Sequence, residues 1–104
     1  MDRIDAVALL GSLQGRAIHT LTGKPNRVLR IEGSNAIVAT NKSPEGRPVP
    51  IAWVQSALDR LTTDGAVEIN VESVGYRSAF VGAVLSAVPG VVVGPGVVRL
   101  PING

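Results

Sequence analysis

The apolar positions at the start of the chain recur at helical spacing: Ile4, Val7, Ala8, Leu10 and Leu13 follow Asp2 and Asp5, acids that suit a helix N-terminus. Gly15 offers a stop. From Arg16 to Leu21 apolar and polar residues alternate loosely, which predicts a strand, and Thr22-Gly23-Lys24-Pro25-Asn26 then demands a turn. The runs Arg27 to Glu32 and Ala36 to Thr40, joined by Gly33-Ser34-Asn35, predict a β-hairpin. Strict alternation in the first run would set Arg27, Leu29 and Ile31 on one face and Val28, Arg30 and Glu32 on the other. Asn41 to Pro50 holds three prolines and a glycine, so an irregular, exposed excursion is expected, with Lys42 and Arg47 accessible on it.

Ile51, Val54, Leu58 and Leu61 return to a helical period, with Ala57 beside them and Gly65 as the stop. Val67, Ile69 and Val71 alternate with Glu68, Asn70 and Glu72, the pattern of a strand with one buried face, expected to pair with the hairpin. Gly75 to Ser78 reads as a turn into a last helix whose apolar face is Phe80, Val81, Val84, Leu85 and Val88, ended by Pro89-Gly90. Val91 to Leu100 fits an edge strand, a docked tail or a linker. The pattern predicts an α+β class: one domain over residues 1–90, a small, mainly antiparallel sheet with about three helices packed on it, and an apolar Gly/Pro-containing tail over 91–104. Leu29, Ile31, Val54, Leu58, Leu61, Val67, Ile69, Val84 and Leu85 are its expected core.

Composition agrees with a packed domain: 45% of the 104 residues are hydrophobic, 17% are charged, and the mean hydropathy is +0.29. The absence of cysteine removes disulfides, thiolate nucleophiles and Cys-based zinc sites. The first five residues carry acids where a signal peptide needs a basic region, and the run Ala6 to Leu10 is too short to span a bilayer. A cytoplasmic protein without a membrane partner is therefore expected.

The net charge of +2 conceals an uneven distribution. Residues 15–50 carry six cations against two acids, and residues 51–75 carry one cation, Arg60, against four acids. Groups for catalysis are sparse. His19 is the single histidine, the serines have no partner histidine in a recognisable order, and Gly-x-Ser-x-Gly does not occur. Gly23-Lys24 lacks the earlier glycine of a phosphate-binding P-loop and is followed by Pro25 where Ser or Thr belongs. Asp59, Asp64, Glu68 and Glu72 do not have the spacing of a metal-binding loop. The chain is expected to be non-catalytic, with no cofactor and no metal.

Binding is better represented. Thr22, Lys24, Pro25, Asn26 and Arg27 gather a hydroxyl, an amide and two cations on one turn, the donors that phosphate oxygens require. Ser43 and Arg47 lie on the proline-rich excursion. Trp53 shares a helix flank with Ser56 and Arg60, where it either stacks on a base or closes the edge of the core. Tyr76, Arg77 and Ser78 open the last helix, and Arg77 adds a fork for phosphate or for the acceptor edge of guanine.

Three segments, Ile18-His19-Thr20-Leu21-Thr22-Gly23-Lys24-Pro25-Asn26-Arg27, Ser43-Pro44-Glu45-Gly46-Arg47-Pro48-Val49-Pro50-Ile51 and Tyr76-Arg77-Ser78-Ala79-Phe80-Val81-Gly82-Ala83-Val84-Leu85, together resemble a small domain attached to bacterial restriction endonucleases and DNA helicases. The resemblance spans about residues 10 to 90. It implies a module that recognises DNA, in some cases modified DNA, while an associated nuclease or helicase does the chemistry. One subclass it points to is the sulfur-binding domain, which senses phosphorothioate DNA; Pro25 beside Arg27, or Tyr76 and Ala79 beside Arg77, would pair an apolar contact with a cation. The competing expectation is a protein–protein interaction module that uses an apolar patch around Trp53 and the Val-rich tail.

Overall fold

The computed structural model of the chain describes residues 4–70 and 78–101. Asp5 caps the first helix, α1 (Ala6–Leu13), by accepting a hydrogen bond from the Ala8 amide at 3.2 Å. Gln55 ties this end to the second helix, α2 (Ile51–Asp64): its Oε1 accepts from the Ala6 amide and its Nε2 donates to the Ile4 carbonyl, each at 2.8 Å. Between the helices run β1 (Ala17–His19), β2 (Pro25–Glu32), β3 (Asn35–Thr40) and β4 (Arg47–Pro50), an antiparallel meander in the order β1-β2-β3-β4. After α2 come β5 (Ala66–Glu68), the third helix α3 (Ser78–Ser86), β6 (Val92–Gly94) and β7 (Val97–Arg99), whose strands form a second sheet in the order β5-β7-β6. The fold is α+β, with three helices and only antiparallel pairings among the described residues.

The β2–β3 hairpin forms as the apolar runs predict, with Glu32 opposite Asn35 and Gly33 in a positive-φ conformation at the turn. Its alternation does not run straight through. The register shifts between Val28 and Arg30, so Leu29 is an extra residue in a β-bulge and reverses the parity of everything after it. Val28 is fully buried opposite Val38, Ile31 faces inward opposite Ala36, and Arg27, Arg30 and Glu32 stay exposed. Unbroken alternation would have driven Arg30 into the apolar face, at the cost of burying a charge. Of the expected core, Val54, Leu58, Leu61, Val67, Val84 and Leu85 are buried, whereas Leu29, Ile31 and Ile69 are half-buried.

Two expectations are corrected. Residues 47–50 are not irregular excursion but the edge strand β4, where the missing N–H groups of Pro48 and Pro50 are tolerated and Val49 is buried opposite Ala36. The Val67 strand does not join the hairpin. It pairs with β7, placing Val67 opposite Val98, and Val71 lies outside the described residues. Of the alternatives for the last segment the structure gives strands: β6 is an edge strand of the second sheet and β7 its central one, with Val98 fully buried and Leu100 also in the core.

The sequence signals that hold are local ones. Gly65 ends α2 at φ 79°, its amide bonded to the Leu61 carbonyl at 2.9 Å. In α3 every residue from Phe80 to Leu85 is buried, including Gly82 and Ala83, because the helix packs against α2, against β1 of the first sheet and against β7 of the second. No helix of the described residues is long and apolar enough to cross a membrane.

Candidate nucleic-acid interface

The core-facing side of the first sheet changes character along its strands. Ala36 and Val49 form one cross-strand pair and Val28 and Val38 another, and both are buried. One step further the row is Ile18, Asn26 and Thr40, and the apolar surface gives way to polar groups. At this end the β1–β2 turn brings in Lys24, the β3–β4 turn brings in Lys42 and Ser43, and β4 begins with Arg47. Ser78 and Ala79, the first described residues of α3, complete the site.

Asn26 and Thr40 line three adjoining open depressions of about 340 to 400 Å³. One holds Lys24 and Lys42, with Thr20. The next holds Lys42, Ser43, Arg47 and Ser78. The third lies on the opposite side of the sheet, where Arg27 stands over Ala17, Leu29, Ala39, Pro25 and Pro44. None of the three is lined by a carboxylate among the described residues. A further depression, lined by Thr22, Ser78, Ala79 and the Pro95-Gly96 turn, continues the surface toward the second sheet. By contrast, the exposed flank of α2 presents Asp59 and Asp64, together with Arg60. The charge asymmetry of the sequence thus becomes an asymmetry of surface.

The sites expected from sequence sort accordingly. Thr22, Lys24, Pro25, Asn26, Ser43, Arg47 and Ser78 surround one end of the first sheet, with Arg27 just across its rim. Trp53 does not join them: it lies near the start of α2, 37% exposed, and lines none of these depressions. Tyr76 and Arg77 lie outside the described residues. Thr20, Thr40 and Lys42 were missing from the expected set. Lys42 was legible as an exposed cation on the proline-rich stretch, whereas Thr20 and Thr40 gave no signal, because their place follows from strand pairing.

Comparison with protein-family models, with curated proteins and with solved structures gives no match.

Proposed function

We propose that this protein is a non-catalytic, cytoplasmic DNA-binding module that works with a nuclease or helicase of a bacterial restriction-type system. The observation that carries the reading is the meeting of Lys24, Lys42 and Arg47, from two turns and an edge strand, on depressions free of carboxylates among the described residues. Cations grouped in this way displace counterions from a phosphate backbone. The resemblance of the three sequence segments to a domain attached to restriction endonucleases and helicases supports the biological setting.

The depression under Arg27 supports the finer reading of modified DNA. Its lining joins Ala17, Leu29, Ala39, Pro25 and Pro44 to a single guanidinium and to the polar Asn26, Thr40 and Asn41, so it offers apolar contacts next to a cation. A phosphorothioate sulfur is larger and less hydrated than oxygen, so such contacts would favour it.

The test is a titration of one duplex in plain, methylated and phosphorothioate forms across a salt series. Wild type should bind with a steep salt dependence, and Lys24→Ala and Arg47→Ala should each lower the slope by about one unit. Trp53→Ala and Arg99→Ala, away from the depressions, should bind as wild type does. Wild-type affinity in Lys24→Ala and Arg47→Ala at low salt would refute the assignment.

A second reading draws on the edge strand β6, where Val92 is 55% and Val93 47% exposed. An edge that is unpaired among the described residues and bears apolar side chains suits a protein partner. Association through it would change little with salt, which separates it from DNA binding.

A further inference from the structure

Three polar residues are buried among the described ones: Thr20 at 8% exposure and Asn26 and Ser43 at 6% each. All three lie at the basic end of the first sheet, and each bonds to one of its cationic residues. Thr20 Oγ1 accepts from the Lys24 amide at 3.0 Å, and the Thr20 amide donates to the Lys24 carbonyl at 2.9 Å. Asn26 Nδ2 donates to that same carbonyl at 3.4 Å. Ser43 Oγ accepts from Arg47 Nε at 2.9 Å, while the Ser43 amide donates to Thr40 Oγ1 at 3.1 Å, which holds the Ser43 backbone to the end of β3.

Burying polar side chains costs free energy unless hydrogen bonds compensate, and an apolar residue often serves a core position better. Here the buried polar groups are confined to one place, and their partners are the backbone of Lys24 and the side chain of Arg47. With Nε held by Ser43, the guanidinium keeps a set orientation. No carboxylate pairs with Arg47 among the described residues, and it borders the depression that also holds Lys42 and Ser78. A fork of this kind matches two oxygens of a phosphate. Holding it before binding removes part of the ordering cost at the interface.

We infer that Thr20, Asn26 and Ser43 are positioning residues, Thr20 and Asn26 holding the turn that carries Lys24 and Ser43 holding the Arg47 guanidinium, for contacts to the DNA phosphodiester backbone. The inference rests on the DNA-binding reading and adds to it a division of labour: exposed cations make the contacts, and buried polar groups hold the Lys24 turn and the Arg47 guanidinium that present them. A surface of freely moving cations would have no use for the second set.

The experiment uses the full chain, a short duplex of fixed sequence, and the variants Ser43→Ala, Arg47→Lys and their combination. Ser43→Ala and Arg47→Lys should each weaken binding about three- to tenfold, the worth of one oriented hydrogen bond, and the double variant should be no weaker than the worse single one. Thr20→Val should behave alike toward Lys24→Ala. In the free wild-type protein the Arg47 Nε–H should give a slowly exchanging NMR signal that Ser43→Ala abolishes. If Ser43→Ala does not fold, the cycle of Thr20→Val with Lys24→Ala carries the non-additivity comparison, and the loss in Arg47→Lys, an exposed substitution that keeps the charge, still tests the guanidinium contact. Inorganic phosphate should shift the Arg47 signal only at far higher concentration than the duplex does. Additive losses, wild-type affinity in Ser43→Ala, an unchanged Arg47 signal in that variant, or equal affinity for phosphate and duplex would each overturn the inference. A positioned Arg47 in a protein that binds no duplex would instead refute the DNA-binding reading, and the phosphodiester contact with it.

Discussion

One substitution, glycine to alanine, should have opposite effects in two helices of this protein, and the structure gives the sign of each. Gly11 lies in α1, and a Cβ added there meets nothing within 4 Å. Alanine then contributes only its helix preference, a stabilisation of about 0.5–1 kcal/mol. Gly82 is buried in α3, where a Cβ would come to 2.7 Å from Ile69 Cγ2. That methyl is attached to a branched Cβ and cannot swing aside without a change of χ1, and the Ile69 amide is tied to the Gly96 carbonyl at 2.8 Å. Overpacking of this kind costs about 1–3 kcal/mol, which outweighs a helix-preference gain of about 1 kcal/mol over most of that range. In a domain of this size each kcal/mol moves the melting temperature by about 4–8 °C. Thermal denaturation followed by circular dichroism should show Gly11→Ala melting above wild type and Gly82→Ala below it. Removing the obstructing methyl in Ile69→Ala should cancel the effect, so that adding Gly82→Ala to that variant costs nothing further. A Gly82→Ala protein as stable as wild type, or one whose loss persists beside Ile69→Ala, would refute the packing argument.

Two other perturbations test the frame around the site. Gly46 has φ 93°, and a Cβ there would lie 2.7 Å from Ile37 Cγ2 and 2.9 Å from Leu29 Cδ1; Gly46→Ala should cost at least about 1–2 kcal/mol in urea unfolding and should weaken DNA binding, because the disturbed turn carries Lys42 and Ser43. Ending the chain at Gly90 removes β6 and β7 with the buried Val98 and Leu100, so the truncated protein should show no cooperative unfolding transition. The single change Val98→Ala should cost about 2 kcal/mol or more, two methyl groups and the cavity they leave.

What the sequence made legible was local. The 3.6-residue period from Ile51 to Leu61 and the glycine after it are short-range signals, and α2 ends with Gly65 in the left-handed conformation that such a glycine permits. The bulge at Leu29 was hidden because a period-two reading has no way to count an extra residue, although Arg30 beside Ile31 hinted at a conflict between charge and burial. The edge strand β4 was hidden because proline reads as a breaker unless one knows that no strand of the described residues lies beyond it. The pairing of β5 with β7 brings together residues about thirty positions apart, so it depends on the whole chain. The site divides the same way. Lys24, Asn26 and Arg47 stood out as polar residues on turns, but that Arg27 faces away from Arg47 follows only from the register of three strands.

The position of the site at the end of the first sheet has a consequence for stability. Asn26 occupies a core-facing place in the row of Ile18 and Thr40, one step from the Val28–Val38 pair, so a valine there would extend the apolar surface along a strand that favours β-branched residues. The hydrogen bond it would remove is long, 3.4 Å, and the Lys24 carbonyl keeps its second donor, the Thr20 amide. Asn26→Val should therefore leave the fold as stable as wild type or up to about 1 kcal/mol more stable. Its effect on binding should run the other way, because the amide helps to fix the turn that carries Lys24 and borders all three depressions around the basic rim. Gains in stability that lower activity mark residues kept for function rather than for folding. Chemical denaturation and a duplex titration on the same preparation decide the matter. A variant that loses stability and keeps full affinity would show Asn26 to be a structural residue and would remove it from the site.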